Sequence, residues 1–400
     1  MGDDNTFPSN IADQTFAFYK RTVEPENHTL TITPYGNNND GWNLIASPVT
    51  VDPSKNGMTD GDYDLYYFDQ TQEAEWRNYK QHPFNLEPGK GYLYAHKTTG
   101  EFTLSGTPNT LNGVVGLTYS DDNSSVDMRG WNLIGNPLGE TAYLADGRDF
   151  YRMNSTGSEL IVNTDANGGG NAINALEGIF VKVSQNDEVT FTTTAPGKGE
   201  ELVLNVTGTR GNVIDRAIVR FGEGRQLPKF QLNKDNTKIY FAQADNDYAV
   251  VSSDNEGEMP VSFKAAENGT YTLSFNAENT EMRYMHLIDN MTGNDIDLLQ
   301  TPSYSFEAKT TDYASRFRLV FSTGNADVMG EEHFAFFNGS EWVISNEGEA
   351  TLQVIDMTGR VLTSETINGN ANVKVNQASG VYVMRLIQNG QVRSQKIVKD

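Results

Sequence analysis

Gly41-Trp-Asn-Leu-Ile-Ala-Ser-Pro48 recurs almost unchanged as Gly130-Trp-Asn-Leu-Ile-Gly-Asn-Pro137, and this duplication organises the first half of the chain. The two copies are offset by 89 residues (130 minus 41). Alternation places Trp42 and Leu44 on one face of a short strand, which the flanking Gly and Pro bound. We therefore predict that the tryptophans of both copies are core residues, with ligand stacking as the alternative.

Similar segments flank both copies. A short alternating strand precedes each copy, an aromatic strand follows it, and a strand opened by Gly leads to a final alternating strand. The repeats run over residues 28–105 and 114–194, approximately. Two such units are too few and too long for a solenoid, so residues 1–196 are predicted to form a duplicated β-module.

Evenly spaced short strands continue after the break at Ala195-Pro-Gly-Lys-Gly-Glu200, with Gly, Asn, Asp and Pro between them. This pattern predicts an antiparallel β-sandwich over residues 197–322. A small, polar linker at 323–332 precedes a last domain at 333–400. The predicted fold class is all-β, with several antiparallel sandwiches or jelly-roll-like modules and an immunoglobulin-like C-terminal domain.

The last domain contains turns whose chemistry the residues indicate. Asp356 can accept backbone N–H bonds in a turn, and Gly359 can adopt a positive φ there. Tyr382 and every second residue after it share one face of a later strand. Asn389-Gly390 is a strong hairpin signal and leads into the final strand.

This tail resembles the C-terminal sorting domain that Bacteroidetes attach to cargo of the type IX secretion system. The family's hallmarks are an Asp-x-x-Gly-Arg turn, a Gly-x-Tyr strand and a Lys-rich last strand. In this chain they fall on Asp356, Gly359, Arg360, Gly380, Tyr382, Lys396 and Lys399. Residues 197–322 resemble the β-sandwich that often precedes such tails.

The resemblance implies where the protein is exported. The outer-membrane translocon would recognise the tail, and a sortase-like peptidase would remove it near residues 322–333. The mature protein would then be joined to surface lipopolysaccharide, which places it outside the cell or on the outer-membrane surface. The alternative is a generic terminal β-sandwich with no signalling role.

Composition excludes several classes of partner and chemistry. The formal net charge is −23, and such a surface repels phosphate backbones, so no nucleic-acid partner is expected. The absence of cysteine excludes disulfides, Cys–zinc sites and thiol nucleophiles. The polar start Met1-Gly-Asp-Asp-Asn-Thr lacks the basic and apolar regions of a signal peptide, so we expect a fragment or a mature form.

No motif indicates an enzyme, and no catalytic residue or cofactor is predicted. The chain has no His-x-x-x-His pair and no Gly-x-Ser-x-Gly elbow, and sequence alone cannot locate a glycosidase carboxylate pair. Calcium is the best candidate metal, at Asp60-Gly-Asp-Tyr-Asp64 or in the acidic loop 121–127. Neither segment has Gly at the sixth position and Glu at the twelfth position of a calcium-binding loop, so we expect solvated acidic turns.

Aromatic residues are dense in the first repeat. They fill a sandwich core and its rim or form an exposed platform for a sugar or a protein. Trp76 and Tyr79 fall in a polar loop of the sequence, and together with Tyr66 they are the candidate platform.

Two functions remain open from the sequence. The first is a non-catalytic surface protein whose β-modules act in adhesion or in glycan or host-protein binding. The second is the accessory C-terminal region of a larger extracellular hydrolase, a protease or glycanase, whose catalytic domain lies upstream.

Overall fold

The computed structural model describes residues 24–36, 40–98, 100–122, 126–164, 170–197, 199–222, 226–243, 246–254, 256–278, 280, 282–322, 334–337, 341–344, 346, 348–369, 371–374, 376 and 378–399. Within them the regular structure is β, apart from single 3₁₀ turns at Pro53–Lys55 and Val126–Met128. The predicted all-β class with several antiparallel sheets is confirmed. No helix among these residues is long and apolar enough to cross a membrane. The predicted linker at 323–332 lies outside the described residues.

The two repeats have the same strand order. The first contains β1 (Glu26–Ile32), β2 (Asn43–Ala46), β3 (Tyr63–Phe68), β4 (Trp76–Asn78), β5 (Gly91–His96) and β6 (Gly100–Gly106). The second contains β7 (Val114–Leu117), β8 (Trp131–Gly135), β9 (Tyr143–Leu144), β10 (Tyr151–Met153), β11 (Leu160–Val162), β12 (Gly178–Lys182) and β13 (Asp187–Thr192). Their larger sheets are ordered β2-β5-β3-β4 and β8-β12-β10-β11, while β1 pairs with β6 and β13 pairs with β7 and β9.

The repeats contact each other reciprocally. Isolated β-bridges join Ile45 to Glu177 and Ile134 to Lys90. Ile45 and Ile134 occupy the same position in the two Gly-Trp-Asn-Leu-Ile copies. The repeats therefore meet as two subunits of an isologous dimer would, about a pseudo-two-fold axis.

Glycine permits this close approach. A Cβ at Gly91, which opens β5, would lie 2.6 Å from the carbonyl oxygen of Ile134. A Cβ at Gly178, which opens β12, would lie 2.9 Å from the carbonyl oxygen of Ile45. Any larger residue at either position would push the two backbones apart.

A large sheet follows the repeats. It contains β14 (Glu201–Thr207), β15 (Val213–Phe221), β16 (Leu227–Pro228), β17 (Lys238–Ala242), β18 (Asp247–Ser253), β19 (Glu256–Lys264), β20 (Gly269–Glu278), β21 (Tyr284–Asp289), β22 (Asn294–Asp297), β23 (Ser303–Ala308) and β24 (Phe317–Ser322). The order is β22-β21-β24-β19-β17-β18-β15-β14-β20-β23, and β16 pairs with β18. This sheet departs from the antiparallel prediction at one pair, since β15 and β18 run parallel. The long connection through β16 and β17 makes that parallel pairing geometrically accessible.

The strands β14 and β15 are buried on both faces. Leu202 and Leu204 face the core that the strands of this large sheet enclose, and we call the sheet and its core the sandwich. Val203 and Ile218 face the other way and pack against side chains of both repeats. The nearly continuous apolar run Leu202-Val-Leu is the pattern that two-sided burial requires.

A buried ionic cluster also joins the second repeat to the sandwich. The Arg220 guanidinium bonds Asp149 Oδ1 at 2.5 Å and Glu201 Oε2 at 2.8 Å. The Thr164 hydroxyl donates to Glu201 Oε1. Asp149 and Thr164 belong to the second repeat, so charge-assisted bonds fix its position against β14 and β15.

The tail folds as a separate pair of sheets. Its strands are β25 (Ala335–Phe337), β26 (Trp342–Ile344), β27 (Glu349–Asp356), β28 (Val361–Asn368), β29 (Ala371–Val373), β30 (Gly380–Gln388) and β31 (Gln391–Lys399). They form the sheets β25-β26-β29 and β28-β27-β30-β31. Buried side chains from both sheets, among them Trp342, Leu352 and Met384, form one core. The tail is therefore a small antiparallel sandwich.

Candidate functional site

Asp356 organises the turn between β27 and β28. Its Oδ1 accepts hydrogen bonds from the N–H of Thr358 (3.0 Å), the hydroxyl of Thr358 (2.5 Å) and the N–H of Arg360 (3.0 Å). These donors, the Thr358 hydroxyl above all, stabilise the carboxylate and lower the pKa of Asp356 to about 2. Gly359 has φ +86°, so both features predicted for this turn are confirmed.

The same turn presents two side chains to solvent. Arg360 bonds Asp356 Oδ2 through Nε at 3.1 Å, yet 74% of its side chain is exposed. Met357 is 67% exposed. The turn thus displays one cationic and one apolar side chain to solvent.

The Gly-x-Tyr strand has a structural part in this region. Tyr382 is 9% exposed and its hydroxyl donates to the carbonyl of Ala378 at 2.7 Å, which fixes the segment that enters β30. Gly380 lies beside the Tyr382 ring, where a Cβ would be 3.4 Å from the hydroxyl oxygen.

The predicted sorting residues converge at one end of the four-stranded sheet. Asp356 is in register with Tyr382, and Gly380 is in register with Lys399. Lys396 is exposed on the neighbouring strand β31. The turn, the start of β30 and the end of β31 therefore form a single surface, although its residues span more than 40 positions of sequence.

One important residue of the tail was missed from the sequence. Gln395 on β31 is buried, and its Oε1 accepts hydrogen bonds from the N–H groups of Phe334 (2.8 Å) and Ala335 (2.7 Å). Its Nε2 donates to the Ala335 carbonyl at 2.7 Å. The signal was a polar residue two positions before buried Ile397, on the inward face of the strand.

The candidate aromatic platform is divided between two faces of the first repeat. Trp76 begins β4, so its expected position outside a strand is wrong, whereas Tyr79 lies in the turn after β4 and is 9% exposed. Tyr79 packs edge-on against Phe84 in the core of the repeat, at a centroid distance of 5.2 Å. Tyr66 is half-buried on the opposite face, between Trp42 (6.1 Å) and Trp76 (6.5 Å). Strand β3 carries aromatics on both sides, and each side packs against a different layer.

The first acidic turn is neutralised by lysines. Asp62 lies 3.2 Å from the Lys97 amine, and Asp64 lies 3.2 Å from the Lys80 amine. Across the described residues, no group of three or more His, Asp or Glu side chains could hold a metal ion. The second acidic loop, 121–127, is only partly within those residues.

Comparisons with known proteins identify the tail alone. Residues 339–400 match the family described as a secretion system C-terminal sorting domain. No curated protein matches the chain. A solved structure titled "Biofilm associated protein - BSP domain" is similar at 10% identity and a TM-score of 0.16, a value too low to carry any argument. That alignment covers 94% of this chain, which spans 66% of the other.

The family match supports the resemblance to type IX secretion cargo. A sorting tail of this kind implies interaction with the type IX machinery and export to the cell surface or the extracellular space. The match includes every predicted sorting residue, from Asp356 to Lys399.

Proposed function

We propose that this is a non-catalytic protein which the type IX system exports, and whose β-modules act outside the cell in adhesion or in glycan or protein binding. The match of residues 339–400 to a sorting domain carries the proposal for export. The separate core of the tail supports export, since a sorting domain with its own core can be recognised and removed without disturbing the rest of the chain.

The end surface of the tail is the part that the translocon would contact. Arg360 and Lys396 are exposed there beside Met357, on a chain whose net charge is −23. A local basic and apolar surface on an acidic protein favours one orientation of docking. By the same resemblance, a sortase-like peptidase and surface lipopolysaccharide are the later partners.

The bonding of perturbed carboxylates supports a non-catalytic role. Burial raises the pKa of Glu159, which is the property of many catalytic acids. Both of its oxygens are already engaged: Oε1 accepts from the N–H groups of Leu160 (2.8 Å) and Leu232 (2.7 Å), and Oε2 accepts from the Asn236 amide (2.6 Å). A carboxylate held by three structural bonds has little freedom to transfer protons to a substrate.

Export can be tested in a host that carries a type IX secretion system. Both chains are expressed behind the same signal peptide of a host protein. We expect the full chain in the medium or on the cell surface, and a chain lacking residues 334–400 inside the cell. Secretion of that shortened chain would contradict the proposal.

Point variants locate the contact surface within the tail. Met357→Ala with Arg360→Ala should lower secretion several-fold, because both side chains are exposed on the end surface. Val392→Ala is the matched control, since Val392 is 57% exposed at the opposite end of the same sheet. Circular dichroism checks that each variant folds. Equal secretion of the double variant and the control would show that the contact surface lies elsewhere.

A further inference from the structure

A cleft of about 620 Å³ lies between the first repeat and the sandwich. Trp42, Trp76 and Leu93 of the repeat line one side of it. Asn233 and Asn236, from the segment between β16 and β17, line the other. The volume falls within the range of about 300–1,000 Å³ typical of small-ligand sites, which often form where domains meet.

The corresponding tryptophans of the two repeats differ in exposure, and only Trp42 lines this cleft. Trp131 is the counterpart of Trp42 in the second repeat, and it is 1% exposed beneath Phe230, with ring centroids 4.3 Å apart. The prediction of a core tryptophan is confirmed for Trp131. Trp42 remains half-buried and lines the cleft.

The aromatic side of the cleft is held rigidly. Trp76 makes edge contacts with Phe68 at 5.3 Å and with Phe180 at 5.9 Å. The backbone N–H of Trp42 donates to the Gly157 carbonyl at 3.0 Å. A ligand would meet a surface that is already ordered, which lowers the entropic cost of binding.

Several polar groups that line the cleft have hydrogen-bond donors or acceptors without a partner among the described residues. Asn233 Oδ1 accepts from the Asp235 N–H at 3.0 Å, while its amide NH₂ has no acceptor within the described residues. Asn236 donates to Glu159 and leaves its Oδ1 available. The indole N–H groups of Trp42 and Trp76 likewise have no acceptor among the residues that the structure describes. Donors and acceptors thus surround an aromatic surface.

We propose that this cleft binds a neutral carbohydrate. The apolar C–H face of a sugar ring would pack on Trp42 or Trp76, and its hydroxyls would bond with Asn233 and Asn236. The lining carries Asp40, Glu159 and Glu267 against Arg210, which disfavours an anionic ligand. This inference rests on the proposed binding role and assigns it a place and a ligand class.

The test uses the purified full chain. An array of neutral oligosaccharides, with sialylated and uronic-acid glycans beside them, identifies the ligand, and titration calorimetry measures its affinity. Chromatography of the same mixtures reports any cleavage. We expect saturable binding of at least one neutral oligosaccharide, without turnover, and a change in the emission of Trp42 and Trp76.

Variants then locate the site. Asn233→Ala should weaken binding about 3–10-fold, the effect of one lost hydrogen bond. Ala266→Trp should abolish binding by filling the cleft, since Ala266 is exposed on its lining. Tyr119→Ala removes an exposed aromatic of the second repeat outside the cleft and should leave affinity unchanged.

Three results would overturn the proposal. Glycan binding that survives Ala266→Trp would exclude this cleft but retain a carbohydrate-binding function. Binding of acidic glycans alone would exclude the neutral ligand. Failure to bind any glycan would remove the carbohydrate role, while the secretion assay would still decide separately whether the chain is exported.

Discussion

His286 is a titratable side chain with a defined partner on the edge of the sandwich. Its ring stacks on Tyr284 at a centroid distance of 4.1 Å, and its Nδ1 lies 2.6 Å from Asp295 Oδ1 on β22. This hydrogen bond to the carboxylate raises the pKa of His286 above the ordinary value of 6.5. The pair therefore links protonation of His286 to the stability of the β21–β22 hairpin.

Asp295→Asn should lower stability at pH 5.5 and have little effect at pH 9. The folded-state pKa is raised, so the pair's contribution is fully present below about pH 6.5 and is lost as the pH rises through the folded value. Urea denaturation at the two pH values measures this difference. With five histidines in the chain, NMR titration can also follow His286 itself, and an identical pKa in both proteins would disprove the linkage.

Asp356→Ala should loosen the β27–β28 turn at neutral pH and much less at pH 2. The pKa of Asp356 is depressed to about 2, so its contribution is present above the unfolded value of about 3.9 and is lost as the pH falls through about 2. Denaturation of the tail, followed through its buried Trp342, should show a difference in stability between the two proteins at pH 5 that narrows at pH 2. A gap of constant size would contradict the role of the charged carboxylate.

At the level of strands, the crossing between the two repeats depends on glycine. Gly91→Ala places a Cβ 2.6 Å from a backbone oxygen that cannot move independently, so we expect a loss of about 1–3 kcal/mol in unfolding free energy. Gly116→Ala is the matched control, because Gly116 lies in β7 and a Cβ added there would meet no atom within 4 Å. Thermal denaturation compares the two, and equal effects would show that the crossing tolerates a side chain.

Local chemistry made several elements predictable. Asn389-Gly390 forms its hairpin with φ values of 49° and 80°, as the dipeptide predicts. Tyr79 lies in a turn, as its polar neighbourhood in the sequence predicts, but that neighbourhood says little about burial. The backbone N–H of Tyr79 donates to the Leu65 carbonyl of β3, and its ring is buried. The parallel pairing of β15 and β18 leaves no short-range signal in the sequence, because packing determines which distant strands pair.

Across the whole molecule, the repeats and the sandwich share buried ionic contacts. Asp149→Ala would remove one of the two carboxylates that pair with Arg220 while Glu201 stays, and we expect a loss of about 1–3 kcal/mol in unfolding free energy. Lys234→Ala is the control, because Lys234 and Asp127 join the same two regions through an exposed pair at 3.4 Å. Urea denaturation should show a large effect for the first and little for the second; similar effects would mean that the buried cluster contributes no more than a surface pair.

The arrangement of modules was beyond the reach of sequence reasoning. Asp149 and Arg220 are 71 positions apart, and neither residue type indicates a partner at that distance. The difference between Trp131 and Trp42 is equally invisible in the sequence, since Phe230 stacks on Trp131 while Trp42 lines the cleft. Identical motifs thus acquired different surroundings from a third region of the chain.

The hydrogen bonds that Gln395 makes with Phe334 and Ala335 join the beginning of the tail to its strand β31. A ribosome makes residue 334 long before residue 395, so the tail cannot close its fold until β31 has emerged. Nascent chains that stop short of this strand carry most of the address but lack the bonds that complete it. A tail truncated before β31 would therefore lack the side chain that joins its two sheets at this point.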